Sequence, residues 1–168
     1  MPRVFVGAGS NIDPERRLVQ AARALKHEFP GVLFSSCYRN RALGFEGADF
    51  INAVAVFDTE LDVAALLARL RRIEELCGRG RDDAKWAPRA MDLDLLIYGD
   101  VIAAGADYRV PRPDLLRRAY MLGPLAELAP TLSHPATGTS IDALWRAFAQ
   151  DQHVLTRIDL DLNEFEPA

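Results

Sequence analysis

Apolar positions recur along the chain in two rhythms, one suited to buried strands and one to helices. Val4-Phe5-Val6, within residues 3–7, has the length of a short buried strand, and Gly9-Ser10-Asn11 follows as a turn. Asp13-Pro14-Glu15 reads as a helix start, with Asp13 the cap and Pro14 at the first helical position. Leu18, Ala21, Ala22, Leu25 and Phe29 then repeat at helical spacing until Pro30-Gly31 ends the segment. A second strand is expected over residues 32–39, a loop holding Gly44 and Gly47 over 40–50, and a third strand over 52–57. The clearest helix covers 62–77, with Leu66, Leu67, Leu70, Ile73 and Leu76 on one stripe and Gly78 at the expected C-terminal cap. After a polar loop through Pro88, residues 91–98 read as a strand closed by Gly99-Asp100.

The order strand, helix, strand, strand, helix, strand predicts an α+β fold with a ferredoxin-like βαββαβ core. Two split βαβ halves form an antiparallel sheet with both helices on one face. Additional C-terminal helices, expected over 122–128 and 140–148, would cover the sheet elsewhere. Residues 1–158 are read as a single domain, and 159–168 as an acidic tail expected to be mobile.

At 168 residues the chain can bury a core without disulfides or a structural metal. Cys37 and Cys77 belong to no metal-ligand or redox spacing and are read as reduced core residues, and His27, His134 and His153 form no zinc spacing. An apolar content of 49% with 26% charged residues is that of a soluble globular protein, and no apolar run has the length of a membrane span. With no signal-peptide pattern at the start, a cytoplasmic protein is expected. The net charge of −4 argues against nucleic acid as a partner, yet 11 of the 20 Lys and Arg residues fall between Arg69 and Arg118. A solvated helix face accounts for Arg69, Arg71 and Arg72, whereas the later cations suggest a small polyanion as ligand.

Asp92-Leu93-Asp94 interrupts an otherwise apolar strand, and the alternation of side chains puts both carboxylates on one face. Like charges so close repel unless a cation lies between them, and magnesium favours such oxygen ligands. Alone, the pair is equally compatible with capping or solvent-exposed aspartates. Immediately upstream, residues 79–89 read RGRDDAKWAPR and supply cations next to those anions. Phosphoryl transfer needs both, so metal–nucleotide chemistry becomes the favoured reading. The glycine loops of the familiar nucleotide-binding folds are absent from the sequence.

The run from Arg79 to Leu96, with Gly9-Ser10-Asn11, Phe50-Ile51-Asn52-Ala53, Arg72-Ile73-Glu74 and the stretch from Arg117 to Leu125, resembles the 6-hydroxymethyl-7,8-dihydropterin pyrophosphokinases of folate synthesis. The resemblance covers about residues 3–130. It implies transfer of pyrophosphate from ATP to the pterin hydroxymethyl group with AMP released, and two Mg2+ ions held by Asp92 and Asp94. It also implies catalytic roles for Arg79, Arg81 and Arg89, and ATP contacts from Glu74, Lys85, Leu95, Arg112 and Arg118. Leu43, Gly44, Phe50, Asn52, Trp86 and Tyr120 match the pterin pocket, with Phe50 and Tyr120 as stacking rings and Asn52 reading the heterocycle edge. Without the family, Phe50 reads as a core aromatic and Asn52 as a turn residue.

Two departures stand out. Arg39-Asn40-Arg41-Ala42 replaces the family's Thr-x-Pro segment, and Val110-Pro111-Arg112 replaces Val-Pro-His, exchanging a titratable ring for a permanent cation. They leave a divergent paralogue, acting on a related pterin or binding without efficient turnover, as the alternative. A non-catalytic regulatory or RNA-binding ferredoxin-like module is the other, disfavoured by the charge and by the lack of a pattern of exposed aromatics on the central strands. A monomer is expected.

Overall fold

A strand flanked on both sides must hide side chains on both faces, and Val4, Phe5, Val6 and Ala8 do so in the central strand of the sheet. In the computed structural model, which describes residues 1–42, 47–78, 90–148 and 154–168, this strand is β1, Arg3–Ser10. It is followed by α1 (Pro14–Glu28), β2 (Leu33–Phe34), β3 (Cys37–Asn40), β4 (Phe50–Asp58), α2 (Val63–Leu76) and β5 (Asp92–Tyr98). A small hairpin of β6 (Ala103–Ala104) and β7 (Arg109–Val110), a 3-10 turn at Pro113–Leu116, α3 (Ala119–Leu128), α4 (Ile141–Ala147) and β8 (Thr156–Ile158) complete the path.

The sheet order is β5-β1-β4-β3-β8, and β2 also pairs with β4. Neighbouring strands are antiparallel, while β1 and β3, joined through α1, both pair with β4 and so run parallel with one strand between them. This is the ferredoxin-like order expected from the sequence. Leu18, Ala21, Ala22 and Leu25 of α1 and Leu66, Leu70 and Ile73 of α2 pack on one face, together with Val4, Val6, Leu93 and Leu95. Each Leu, Ile or Val among them, fully buried, contributes about 1.5–3 kcal/mol. On the other face α3 and α4 enclose Phe5, Val54, Leu96 and Ile97 with Leu122, Leu125 and Ile141. A bulge lets β5 serve both layers. Phe5 faces Ile97 and Val6 faces Leu95, so Leu96 is an extra residue, and Leu96 and Ile97 both turn toward α3.

Several expectations are corrected. β1 continues through Gly9 and Ser10, since Gly9 pairs with Asn52 on one side and Asp92 on the other. Asp13 occupies the N-cap of α1 in the left-handed region, φ 47°, and makes no side-chain cap bond; its carboxylate instead meets Arg16 Nε at 2.5 Å. The single strand expected over 32–39 is split at Ser35-Ser36. There Ser35 Oγ accepts from the Val54 N–H at 2.9 Å, and the Ser36 N–H and hydroxyl turn to Glu127 of α3 at 2.7 and 3.1 Å. Leu76 leaves the α2 stripe, 62% exposed, and Glu74 is the buried residue instead. Asp62 caps α2 by accepting from the Ala65 N–H at 2.8 Å. The acidic tail is docked rather than mobile: Leu162 joins the first core, and the Asn163 carboxamide bonds both the N–H and the C=O of Phe34 at 2.9 Å.

Cys37 and Cys77 are buried and free, and burial pushes their thiols up to about 12 and about 11, as suits protonated core residues. Among the described residues no helix is long and apolar enough to cross a membrane.

Candidate active site

Cross-strand partners share a sheet face, so the pairing lists what stands on the face toward α3. One row runs Tyr38, Asn52, Gly9, Asp92, and the next runs Val54, Gly7, Asp94. Asn40 and Phe50 pair with each other beyond the first row. Helices α3 and α4 cover the end of this face that carries Phe5, Val54, Leu96 and Ile97. At the other end the two glycines contribute no side chains, and the strip of backbone between the buried amide of Asn52 and the carboxylates of Asp92 and Asp94 carries only the Asn52 carboxamide over Gly9 and the edge of Leu96 over Gly7. Strand spacing puts the two sides of that strip about 10 Å apart.

β5 is an edge strand, so the polar groups on its outer side must find partners outside the sheet. The Leu93 N–H, between the two aspartates, donates to Glu74 Oε2 of α2 at 2.8 Å, and the Leu96 C=O accepts from the Arg112 N–H at 2.8 Å. Glu74 is only 8% exposed, its carboxylate drawn inward by that bond. The second bond places Arg112 beside β5, with its guanidinium 3.7 Å from Asp94 and 3.5 Å from Asp114. Glu74, Asp94, Leu95, Tyr108 and Arg112 line a cleft of about 190 Å³ along this edge. Tyr120, half-buried on the first turn of α3, has its phenol pushed up by burial and by the Asp94 carboxylate, against the pull of Arg118. Arg118 holds the N-cap of α3, and its N–H bonds the Asp114 carbonyl at 2.9 Å.

In Glu74→Leu the buried Leu93 N–H loses its acceptor, which costs about 1–3 kcal/mol. For a chain of this size that lowers the melting temperature by roughly 2–10 °C, and Glu74→Gln, which keeps an acceptor oxygen, recovers most of the loss. Thermal unfolding of the two variants checks this.

Of the residues singled out from the sequence, Glu74, Asp94, Leu95 and Arg112 meet in the cleft. Asp92 and Phe50 lie partly exposed on the same face and Asn52 lies buried between them, with Tyr120 and Arg118 on the α3 side. Leu43, Gly44, Arg79, Arg81, Lys85, Trp86 and Arg89 lie outside the described residues. The roles of Gly7 and Gly9 as floor, and the contact of Asn40 with Asn52, were not read from the sequence. A glycine pair inside an apolar strand was the available sign, since it marks a place where something else approaches the backbone. Two half-exposed carboxylates on one face, with the Arg112 guanidinium beside Asp94, are an all-oxygen donor set that fits magnesium. The remaining positions are left to water or substrate oxygens, as that ion usually requires.

The fold is shared with solved HPPK-DHPS structures. The crystal structure of wild-type Plasmodium falciparum HPPK-DHPS with pteroate superposes with a TM-score of 0.71 at 12% identity, covering 90% of this chain and 43% of that one. This chain thus spans less than half of that larger protein. Sequence comparison is more specific. The chain belongs to the 7,8-dihydro-6-hydroxymethylpterin-pyrophosphokinase (HPPK) family, which its residues 5–130 match. It is 38% identical over 139 residues to the 2-amino-4-hydroxy-6-hydroxymethyldihydropteridine pyrophosphokinase of Synechocystis sp., covering 81% of this chain and 71% of the relative. To the enzyme of the same name from Pseudomonas aeruginosa it is 39% identical over 137 residues, covering 79% and 84%.

Proposed function

We propose that this chain transfers the pyrophosphoryl group of ATP to 6-hydroxymethyl-7,8-dihydropterin and releases AMP, in folate biosynthesis. The observation that carries this reading is the open strip of sheet face. It sets an amide suited to a heterocycle at Asn52, about two strands from a carboxylate pair with Arg112 beside it, in a chain of this family. In the reaction the pterin hydroxyl oxygen bonds to the β-phosphorus of ATP, and the bond from that phosphorus to the α–β bridging oxygen breaks. AMP carries off the electron pair, and the hydroxyl proton passes to water.

Asp92 and Asp94 would hold magnesium, as two ions on the family resemblance. When bound with ATP, magnesium neutralises phosphate charge and polarises the transferring group. Arg112 and Arg118 offer permanent cations to phosphate oxygens, and the family resemblance gives Arg79, Arg81, Lys85 and Arg89 similar tasks. Glu74 and Leu95 border the nucleotide. Phe50 and Tyr120 hold the pterin between rings, Asn52 reads its edge, and Leu43, Gly44 and Trp86 complete the pocket. The expected single domain, residues 1–158, works as one unit together with its docked tail, as a monomer in the cytoplasm, on small molecules rather than nucleic acid.

The test is an assay for AMP with ATP, magnesium and the hydroxymethyl dihydropterin, run beside controls with chelator and without pterin. AMP that requires both magnesium and pterin is the expected result. Pterin and nucleotide binding without AMP would overturn the proposed turnover and leave a binding protein.

A further inference from the structure

The two ends of a carboxamide are alike in shape and opposite in function, so its partners decide which end meets a ligand. On the open strip that decision starts at the main-chain carbonyl of Arg41, which can only accept. Asn40 Nδ2 donates to it at 3.1 Å, which turns Asn40 Oδ1 toward β4. There Asn40 Oδ1 accepts from Asn52 Nδ2. The two asparagines are diagonal neighbours on adjacent strands, since Asn40 pairs with Phe50 and Asn52 with Tyr38. Asn52 Oδ1 consequently lies on the other side, over the glycine floor. A Cβ on Gly9 would come within 2.2 Å of it.

From this chain of contacts we infer that Asn40 is a positioning residue for pterin selection. It fixes the Asn52 carboxamide with its oxygen toward the floor, so the site accepts there a heterocycle edge that presents an N–H donor. An edge presenting an oxo group or an unprotonated ring nitrogen meets that oxygen lone pair to lone pair. The polarity of both amides is set by one backbone carbonyl, so it does not depend on ligand. The inference rests on the reading that Asn52 faces the pterin. It adds a residue from the segment in which this chain departs from the family's usual Thr-x-Pro.

The test joins two readouts. The first, on ligand-free protein, is the exchange rate of the Asn52 side-chain amide protons by 15N-resolved NMR. One of them is expected to be slowed in the wild type and fast in Asn40→Leu. The second is the affinity for 6-hydroxymethylpterin, followed by its own fluorescence. Asn40→Leu weakens binding by about tenfold, the order expected for one misaligned hydrogen bond. Asn40→Asp keeps an acceptor toward Asn52 whichever way it turns and stays within about threefold of the wild type. Asn40→Leu adds nothing in an Asn52→Leu background, since it acts through that amide, and the affinity for a non-hydrolysable ATP analogue is unchanged. Equal amide exchange in wild type and Asn40→Leu, unchanged pterin affinity in Asn40→Leu, or an undiminished effect in the Asn52→Leu background overturns the role of Asn40. Unchanged affinity in Asn52→Leu overturns instead the placement of the pterin at Asn52.

Discussion

Replacing Asp94 by alanine is expected to lower the rate of AMP release by about a thousandfold or more, while the protein melts within a few degrees of the wild type. The first part follows from what the carboxylate faces. Asp94 and Asp92 stand on one face of β5, half-exposed, where they can hold a cation against the phosphates, and removing one charged group aimed at a reacting centre costs about 10²–10³ or more in turnover. The second part follows from where the core contacts of β5 lie. Its neighbours in the strand, Leu93 and Leu95, carry the core contacts, and its contact with Arg112, at 3.7 Å between partly exposed groups, is worth little. Steady-state kinetics across a magnesium titration, with a thermal melt of the same sample, reads both. Full activity in the variant would remove Asp94 from the metal site, and a large loss of melting temperature would make it a structural residue.

The fold was largely legible because its signals are local. The stripe Leu66, Leu70, Ile73 with Asp62 before it and Gly78 after it reads as one helix, and the element order carries the sheet order with it. Where the reading failed, the deciding partner lay far along the chain. The strand expected over 32–39 breaks because Ser36 turns to Glu127, and the polar tail docks through Asn163 on Phe34. No window of neighbouring residues contains either contact. Glu74 is a third case: a carboxylate on the buried side of a helix reads as an error of periodicity until the unpaired Leu93 N–H of an edge strand is known. At the site, the shared face of the Asp pair was legible because strand alternation alone puts both on one side. Asn40 was not, since its task depends on which end of a second amide faces the ligand.

Gly9 and Gly7 provide the sharpest separation of effects. Both lie in β1, on the same face, two residues apart, and neither has a positive φ, so a side chain at either position strains nothing in the backbone. What a methyl group meets differs. At Gly9 it would come within 2.2 Å of Asn52 Oδ1 and 3.3 Å of its Cγ, and the strand cannot retreat because β4 and β5 hold it from both sides. Asn52 has to move, which parts it from Asn40 and withdraws its oxygen from the strip. Loss of an amide's paired contacts, at about 1–2 kcal/mol each, weakens pterin binding by roughly 10–100-fold. At Gly7 the nearest atoms to a new methyl are the two δ carbons of Leu96 at 3.7 Å and the Asp94 carbonyl at 3.9 Å, which is ordinary contact. Gly7→Ala is therefore expected to bind pterin within about threefold of the wild type, while nucleotide affinity holds in both variants. Pterin titrations of the two alanine variants give the comparison directly. Equal losses would mean that the whole strip, rather than the Asn52 amide, is what the pterin requires, and no loss at Gly9 would detach the amide from binding altogether.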